Sequence, residues 1–191
     1  YFTSLAYLQL VIERACQRLA PGGHLFLGDL RSLSLQPAFA ASLELHAAPA
    51  ATPLAAAHYG AWHQAALDNE LLVHPGLFAL LQQQGRIGAV RVLPKDARRV
   101  NELSKFRYDV VITRSDAQTT ALPWSDWSGD GWDLAKLERR LWQSGVVALA
   151  GIPNARVATD AHAARLLAEP GELKTVGELR RAVAAAETGI D

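Results

Sequence analysis

Asp29 and Arg31 follow directly on the short apolar run His24-Leu25-Phe26-Leu27-Gly28, and Asn101 and Glu102 lie in the polar stretch between two strand-like runs. Carboxylates in such places can accept a proton, and a guanidinium or an amide can orient a polar ligand. In open parallel sheets, ligands sit beyond the carboxyl ends of the strands, so Asp29 and Arg31 face the crevice. Tyr1-Phe2 reads as the end of a preceding strand with the same orientation. If residues 88–93 run parallel to these strands and 106–113 run back, the loop with Asn101 and Glu102 lies at the same edge. Three segments then converge on one rim.

Each of these residues also has a plainer role. Asp29 can be a helix N-cap or a turn residue, Arg31 can serve in an ion pair, and Asn101 and Glu102 can open a turn. Tyr1 and Phe2 are most simply core-facing aromatics. Arg107 and Tyr108 are neighbours in a strand, so one of them faces inward; a buried Arg there needs a partner. His58 and His63, near Asp68 and Glu70, invite a metal reading, but a spacing of five puts the two rings on different helix faces. His46 and His74 are isolated, and Cys16 on an apolar helix face reads as a buried, inert thiol.

The elements that position these groups follow from periodicity. Leu5, Leu8, Ile12, Ala15, Cys16 and Leu19 mark a helix over 3–19, with Thr3 or Ser4 as cap and Pro21-Gly22-Gly23 as stop. The run 24–28 suits a strand buried on both faces. Residues 29–84 are Ala- and Leu-rich and divided by Pro37, Pro49, Pro53 and Pro75 into about three helices. Residues 88–93 and 106–113 read as two strands joined by a polar loop, hence an antiparallel pair. Beyond residue 116, Trp124, Trp127, Trp132 and Trp142 cluster amid Ser, Asp and Gly; they suit a partner or ligand edge, or anchors of a small subdomain. A helix near 133–143 and an apolar run over 146–150 follow. Two helices, 157–168 and 176–187, come next, the second opened by the capping-box pattern Thr175-Val176-Gly177-Glu178.

Composition excludes several classes. Nineteen Lys and Arg balance nineteen Asp and Glu, which argues against non-specific nucleic-acid binding. Apolar windows break well before membrane-spanning length. The lone Cys16 allows no internal disulfide or Cys cluster and fits a reducing, cytoplasmic setting. The sequence has no Met and opens Tyr1-Phe2-Thr3, so it reads as processed, trimmed or one piece of a larger polypeptide.

Several segments carry a resemblance. Leu19-Ala20-Pro21-Gly22-Gly23-His24-Leu25-Phe26-Leu27-Gly28-Asp29 resembles the "LxPGG, strand, D" segment of Rossmann-like methyltransferases that use S-adenosylmethionine. Asn101-Glu102-Leu103-Ser104-Lys105-Phe106-Arg107-Tyr108-Asp109-Val110-Val111 is similar to the last signature motif of methyltransferase domains embedded in nonribosomal peptide synthetases and hybrid polyketide synthases. Tyr1-Phe2-Thr3-Ser4-Leu5-Ala6-Tyr7-Leu8 is similar to the tail of their "NSVVQYF" motif. Gly151-Ile152-Pro153-Asn154-Ala155-Arg156 resembles a segment downstream of such domains.

The resemblance implies an α/β fold: the C-terminal part of a Rossmann-like class I methyltransferase sheet over 1–115, with lid helices over about 32–84. Residues 116–191 would form a Trp-rich linker and helical appendage. It implies S-adenosylmethionine as cofactor, with Tyr1 and Phe2 near it, although the Gly-rich loop that carries its methionine moiety is expected upstream; the isolated chain should bind it negligibly. Glu102 and Asp29 become candidate proton acceptors, and Arg31 and Asn101 candidate substrate contacts. The implied partners are the rest of a megasynthase and a carrier protein with a phosphopantetheine arm bearing an aminoacyl or acyl group. N-methylation is favoured, with C- or O-methylation, a non-catalytic docking module and an ordinary nucleotide-binding Rossmann protein as alternatives.

Overall fold

The computed structural model describes residues 2–96, 100–114 and 122–187. Two compact units divide the chain, one of residues 1–116 with 156–191 and one of residues 117–155. In chain order the first unit begins with α1 (Leu5–Arg18), β1 (His24–Ser32), α2 (Gln36–Ala47), α3 (Leu54–Leu67), β2 (Leu72–Val73), α4 (Gly76–Gln83), β3 (Ala89–Pro94), α5 (Glu102–Phe106) and β4 (Arg107–Thr113). The second holds β5 (Trp124–Asp126), α6 (Leu134–Ser144) and β6 (Ala148–Ala150), and α7 (Ala158–Ala168) and α8 (Val176–Glu187) return to the first. This is an α/β protein with a mixed sheet.

In that sheet the order is β2-β1-β4-β3. β4 runs antiparallel to both β1 and β3, so β1 and β3 point the same way, and their carboxyl ends flank the start of β4. Tyr108, Val110 and Ile112 alternate along β4 and are buried against Leu8, Ile12 and Cys16 of α1 and Phe78 and Leu81 of α4. The i, i+4, i+8 spacing of the α1 residues gives that helix one apolar face. Ser4 caps it, its Oγ accepting from the Tyr7 amide at 3.2 Å. The sheet is covered on this face, and Phe26 on β1 is 62% exposed. The expectation that 24–28 is buried on both faces therefore fails, since α1 and α4 supply only one covering layer.

The prolines divide 29–84 into the three helices expected. α2 and α3 form a second core with α7 and α8, built from Ala41, Leu54, Ala57, Leu167, Val176 and Leu179 among others. Hydrogen bonds seal this arrangement: the Val176 and Gly177 amides donate to Thr52 O and Ala50 O at 2.9 and 2.8 Å, and Arg180 donates to the α2 carbonyl of Leu45 and to Ala48 O. A cation on the last carbonyls of α2 also complements its helix dipole. The capping box at α8 forms, with the Glu178 amide donating to Thr175 Oγ1 and the Thr175 amide to Glu178 Oε2, both at 3.3 Å. Residues 156–187 thus pack as part of the first unit, whereas the composition shift groups them with the Trp-rich stretch.

By itself, the second unit is a short βαβ element, β5 pairing parallel with β6. Asp133 caps α6 through the Lys136 amide at 2.6 Å, and Gly145 closes it with φ +70°, a conformation that favours glycine. Trp124 and Trp142 are largely exposed.

Candidate active-site rim

Between Leu27 and Leu30 the β1·β4 register shifts. Asp29 takes φ +64° there, the left-handed region that Asp tolerates better than most residues. Its amide donates to Asp109 Oδ1 at 2.8 Å. The extra residue is a β-bulge, which re-aims a side chain away from the regular pleat. The Asp29 carboxylate emerges half-exposed, with Lys95 Nζ 3.3 Å from Oδ1 and Arg107 Nη1 3.3 Å from Oδ2.

Two residues on, Arg31 is buried and sits opposite Arg107 in register. Two guanidiniums so placed need carboxylates between them. The segment joining α3 to β2 supplies these. Asp68 pairs with Arg31, and Glu70 grips Arg107 at 2.5 and 2.7 Å while reaching Arg31 at 3.4 Å. Arg31 also donates to Gln36 Oε1 at 2.9 Å and lies over the Phe39 ring. Lys95 closes the network on Asp109 at 2.7 Å.

Three of these groups are held ionised by their neighbours. Burial works to raise the Asp109 carboxyl, but Lys95 and the Asp29 amide outweigh it and keep it below the usual carboxylate range. Burial likewise works against the Lys95 and Arg107 cations. Asp109 and Asp29 hold Lys95 charged, and Glu70, Asp29 and Glu102 do the same for Arg107. Beneath the rim, burial pushes the Tyr108 phenol up, and its hydroxyl donates to Val73 O at 2.9 Å.

Two pockets open beside this network. One of about 380 Å³ is lined by Arg31, Gln36, Phe39, Leu43, Leu67 and Asp68 among others. A smaller one of about 190 Å³ is lined by Asn101, Glu102, Lys105 and Phe106. Phe39 and Leu43 line both, and Phe39 meets Phe106 edge-on at 5.1 Å.

Asp29, Arg31 and Arg107 therefore come together where β1 ends and β4 begins; Asp29 and Arg31 lie within β1, which runs four residues past the expected strand end, and Asn101, the N-cap of α5, and Glu102, its first residue, stand nearby. The Asn101 side chain accepts from the Ser104 amide at 3.0 Å in a capping box, and Glu102 is exposed in the first turn. Phe2 packs on the core beneath the sheet and against the Tyr7 ring, and Tyr1 lies outside the described residues. Gly23, just before β1, and Gly28, within it, are closed by Ala20 O and the Phe26 ring. Neither glycine offers a cradle for S-adenosylmethionine.

Sequence reasoning missed Gln36, Phe39 and Lys95, and it weighed Asp68 and Glu70 only beside the histidines. The signal for the two acids was the pair of Arg residues at strand ends, each needing a carboxylate. His58 and His63 are exposed, and His63 stacks on Tyr59. No helix among the described residues is long and apolar enough to cross a membrane.

No protein-family model matches the chain. It is 36% identical over 173 residues to chondramide synthase of Chondromyces crocatus. It is 34% identical over 168 residues to a probable non-canonical nonribosomal peptide synthetase of Salinispora arenicola, and 35% identical over 135 residues to the beauvericin nonribosomal cyclodepsipeptide synthetase of Beauveria bassiana. These matches cover 84, 87 and 69% of this chain and 4, 2 and 4% of those proteins, so the chain spans a small part of their length. Over most of its sequence, its homologues are nonribosomal peptide synthetases.

Proposed function

We propose that this chain forms the acceptor-side part of an S-adenosylmethionine-dependent methyltransferase domain in a peptide-synthesising assembly line. The acceptor is an aminoacyl group on a carrier protein's phosphopantetheine arm, and nitrogen is the favoured methyl acceptor over carbon or oxygen. The observation that carries this reading is the convergence of Asp29, Arg31 and Arg107 at one sheet rim, beside a pocket walled by α2 and α3. The ordered resemblance of three segments to methyltransferase motifs and the peptide-synthetase homologues support it.

S-adenosylmethionine supplies an electrophilic methyl group when bound. In-line displacement depends chiefly on alignment of the acceptor, and the ion-paired rim is suited to hold a fixed geometry. α2 and α3 act as a lid that excludes water and shapes the pocket. Glu102, exposed beside the smaller pocket, is the better placed proton acceptor, because both Asp29 oxygens face cations.

The test uses the polypeptide that carries this chain, with a carrier loaded with an aminoacyl group and S-adenosylmethionine bearing a deuterated methyl. Mass spectrometry should find the labelled methyl on the carrier-bound product, on nitrogen by fragmentation. A loaded carrier that stays unmethylated would sink the reading. The closed ion-pair network favours one alternative, a non-catalytic module that holds neighbouring domains; it predicts that outcome together with loss of product when the rim is disrupted.

A further inference from the structure

The second unit has an apolar face and no core of its own. Among its described residues, 122–155, every side chain is exposed or half-buried and none is buried. α6 is amphipathic: Leu134, Leu137 and Leu141, spaced three and four apart, form one stripe, with Lys136, Arg140 and Gln143 on the far side. Leu134 is 72% exposed and Trp142, beside the stripe, 90%. Trp124 on β5 is exposed as well, as are Val146 and Ile152, which flank β6. β5 and β6 have three residues each and pair in parallel. Two strands alone are marginal in water, and parallel strands are normally covered by helices on both faces. A single helix cannot cover two faces.

We infer that residues 117–155 form part of an α/β layer completed by another segment of the same polypeptide, which adds a strand to the β5·β6 pair. The wider sheet runs beneath α6 and covers Leu134 and Leu141. The homologues favour this occupant: the matched stretches are only 4, 2 and 4% of those synthetases, so most of such a polypeptide lies outside this sequence. A tethered segment also acts at high effective concentration. A second copy fits less well, because across a two-fold an edge strand meets its own copy antiparallel, against the parallel pairing here. The inference rests on this packing and on the peptide-synthetase homologues; it does not depend on methyl transfer.

The test uses the full polypeptide that carries this chain, prepared in isotopically light and heavy forms and mixed. A photo-crosslinking benzoylphenylalanine stands in place of Leu134 or Leu141, with Gln143 on the polar side as control; all three positions are exposed, so the fold should tolerate the change. Mass spectrometry should find crosslinks from positions 134 and 141 to peptides outside residues 1–191, with no light–heavy pairs and a far lower yield from 143. Light–heavy pairs would assign the face to a second copy. Crosslinks to residues 1–116 or 156–191 would assign it to the first unit, and equal yields at all three positions would show no docked face. Each of these outcomes overturns the inference. Hydrogen exchange of the unmodified polypeptide is an independent check: the β5 and β6 amides should exchange about a hundredfold more slowly than in the unfolded chain, the worth of burying one large apolar side chain. Exchange at the unfolded rate would overturn the inference as well.

Discussion

The guanidinium carbon of Arg31 lies 4.2 Å from the centroid of the Phe39 ring, joining the end of β1 to α2. Arg31 pairs on its other sides with Asp68 and Glu70, so a strand end, a helix face and the approach to β2 share one buried cation. Arg31→Ala removes a buried cation and leaves the partly exposed Asp68 without its partner; breaking a fully buried pair costs about 3 to 5 kcal/mol, and the loss here should fall at or below the lower end of that range. Arg31→Lys should recover only part of it, since an ammonium cannot fork between Asp68 and Gln36 while stacking on a ring. Urea denaturation of the chain would measure both. A loss within about 0.5 kcal/mol for Ala, the range of ordinary surface changes, would show that the network is not structural.

Asp109 makes stability pH-dependent with a definite sign. Its carboxyl is held below the usual range by Lys95 and the Asp29 amide, against the opposing effect of burial. A depressed folded value means the contribution is fully present above the unfolded value of about 4 and is lost as pH falls through the folded one. Asp109→Asn should flatten the stability profile below about pH 4 and lower the plateau at neutral pH by about 1 to 2 kcal/mol. Urea melts across that range would refute this if wild type and variant ran parallel.

Much of this architecture is legible in the sequence. The prolines divided the helical stretch, the α1 period named the residues that meet the sheet, and Val-rich runs identified an antiparallel pair. What stayed hidden depends on partners far along the chain. β2 has two residues and is a strand only because Arg31 and Ser32 pair with it. The bulge at Asp29 is fixed by Asp109, eighty residues away. Within the polar loop, α5 is five residues long, too short for any period to show. Asp68 and Glu70 drew attention beside histidines nearby in sequence, whereas the groups that need them are two arginines brought close only by the sheet.

The two candidate proton acceptors should separate in their response to amide substitution. Glu102 is exposed, so Glu102→Gln should leave stability within about 0.5 kcal/mol while lowering the methyl-transfer rate by at least ~10²-fold, the low end for general-base catalysis. Asp29→Asn keeps a side chain that tolerates the left-handed backbone but weakens contacts to Lys95 and Arg107; it should act mainly on stability. Single-turnover methylation paired with thermal melts would distinguish them. An unchanged rate in Glu102→Gln would remove that residue from the reaction.

The Tyr108 hydroxyl donates to Val73 O in the core, linking β4 to the two-residue strand at the sheet edge. Tyr108→Phe leaves that carbonyl one bond short and should cost about 1 kcal/mol, with hydrogen exchange at Val73 accelerating more than at Ile112. Because burial raises the phenol above its ordinary value, Tyr108 should stay neutral as exposed tyrosines ionise. Ultraviolet titration should then show one phenolate fewer in the folded wild type than after unfolding, a difference that disappears in the variant.

Lys105 of α5 and Asp160 of α7 meet at 2.7 Å, with both side chains largely buried. This pair fastens the helix beside the smaller pocket to a segment that composition alone assigns elsewhere. Removing only Lys105 leaves Asp160 desolvated and uncompensated, whereas replacing both with apolar residues of similar size can be nearly neutral. The cycle of Lys105→Met, Asp160→Leu and the double variant should therefore be strongly non-additive, with a coupling of about 1 to 3 kcal/mol and the double variant more stable than the Lys105→Met single. Additive losses would mean that the pair is a surface contact of little worth. The cation that Asp160 holds belongs to the same short helix as Glu102, so the coupling also measures how firmly residues 156–187 brace the wall of the smaller pocket.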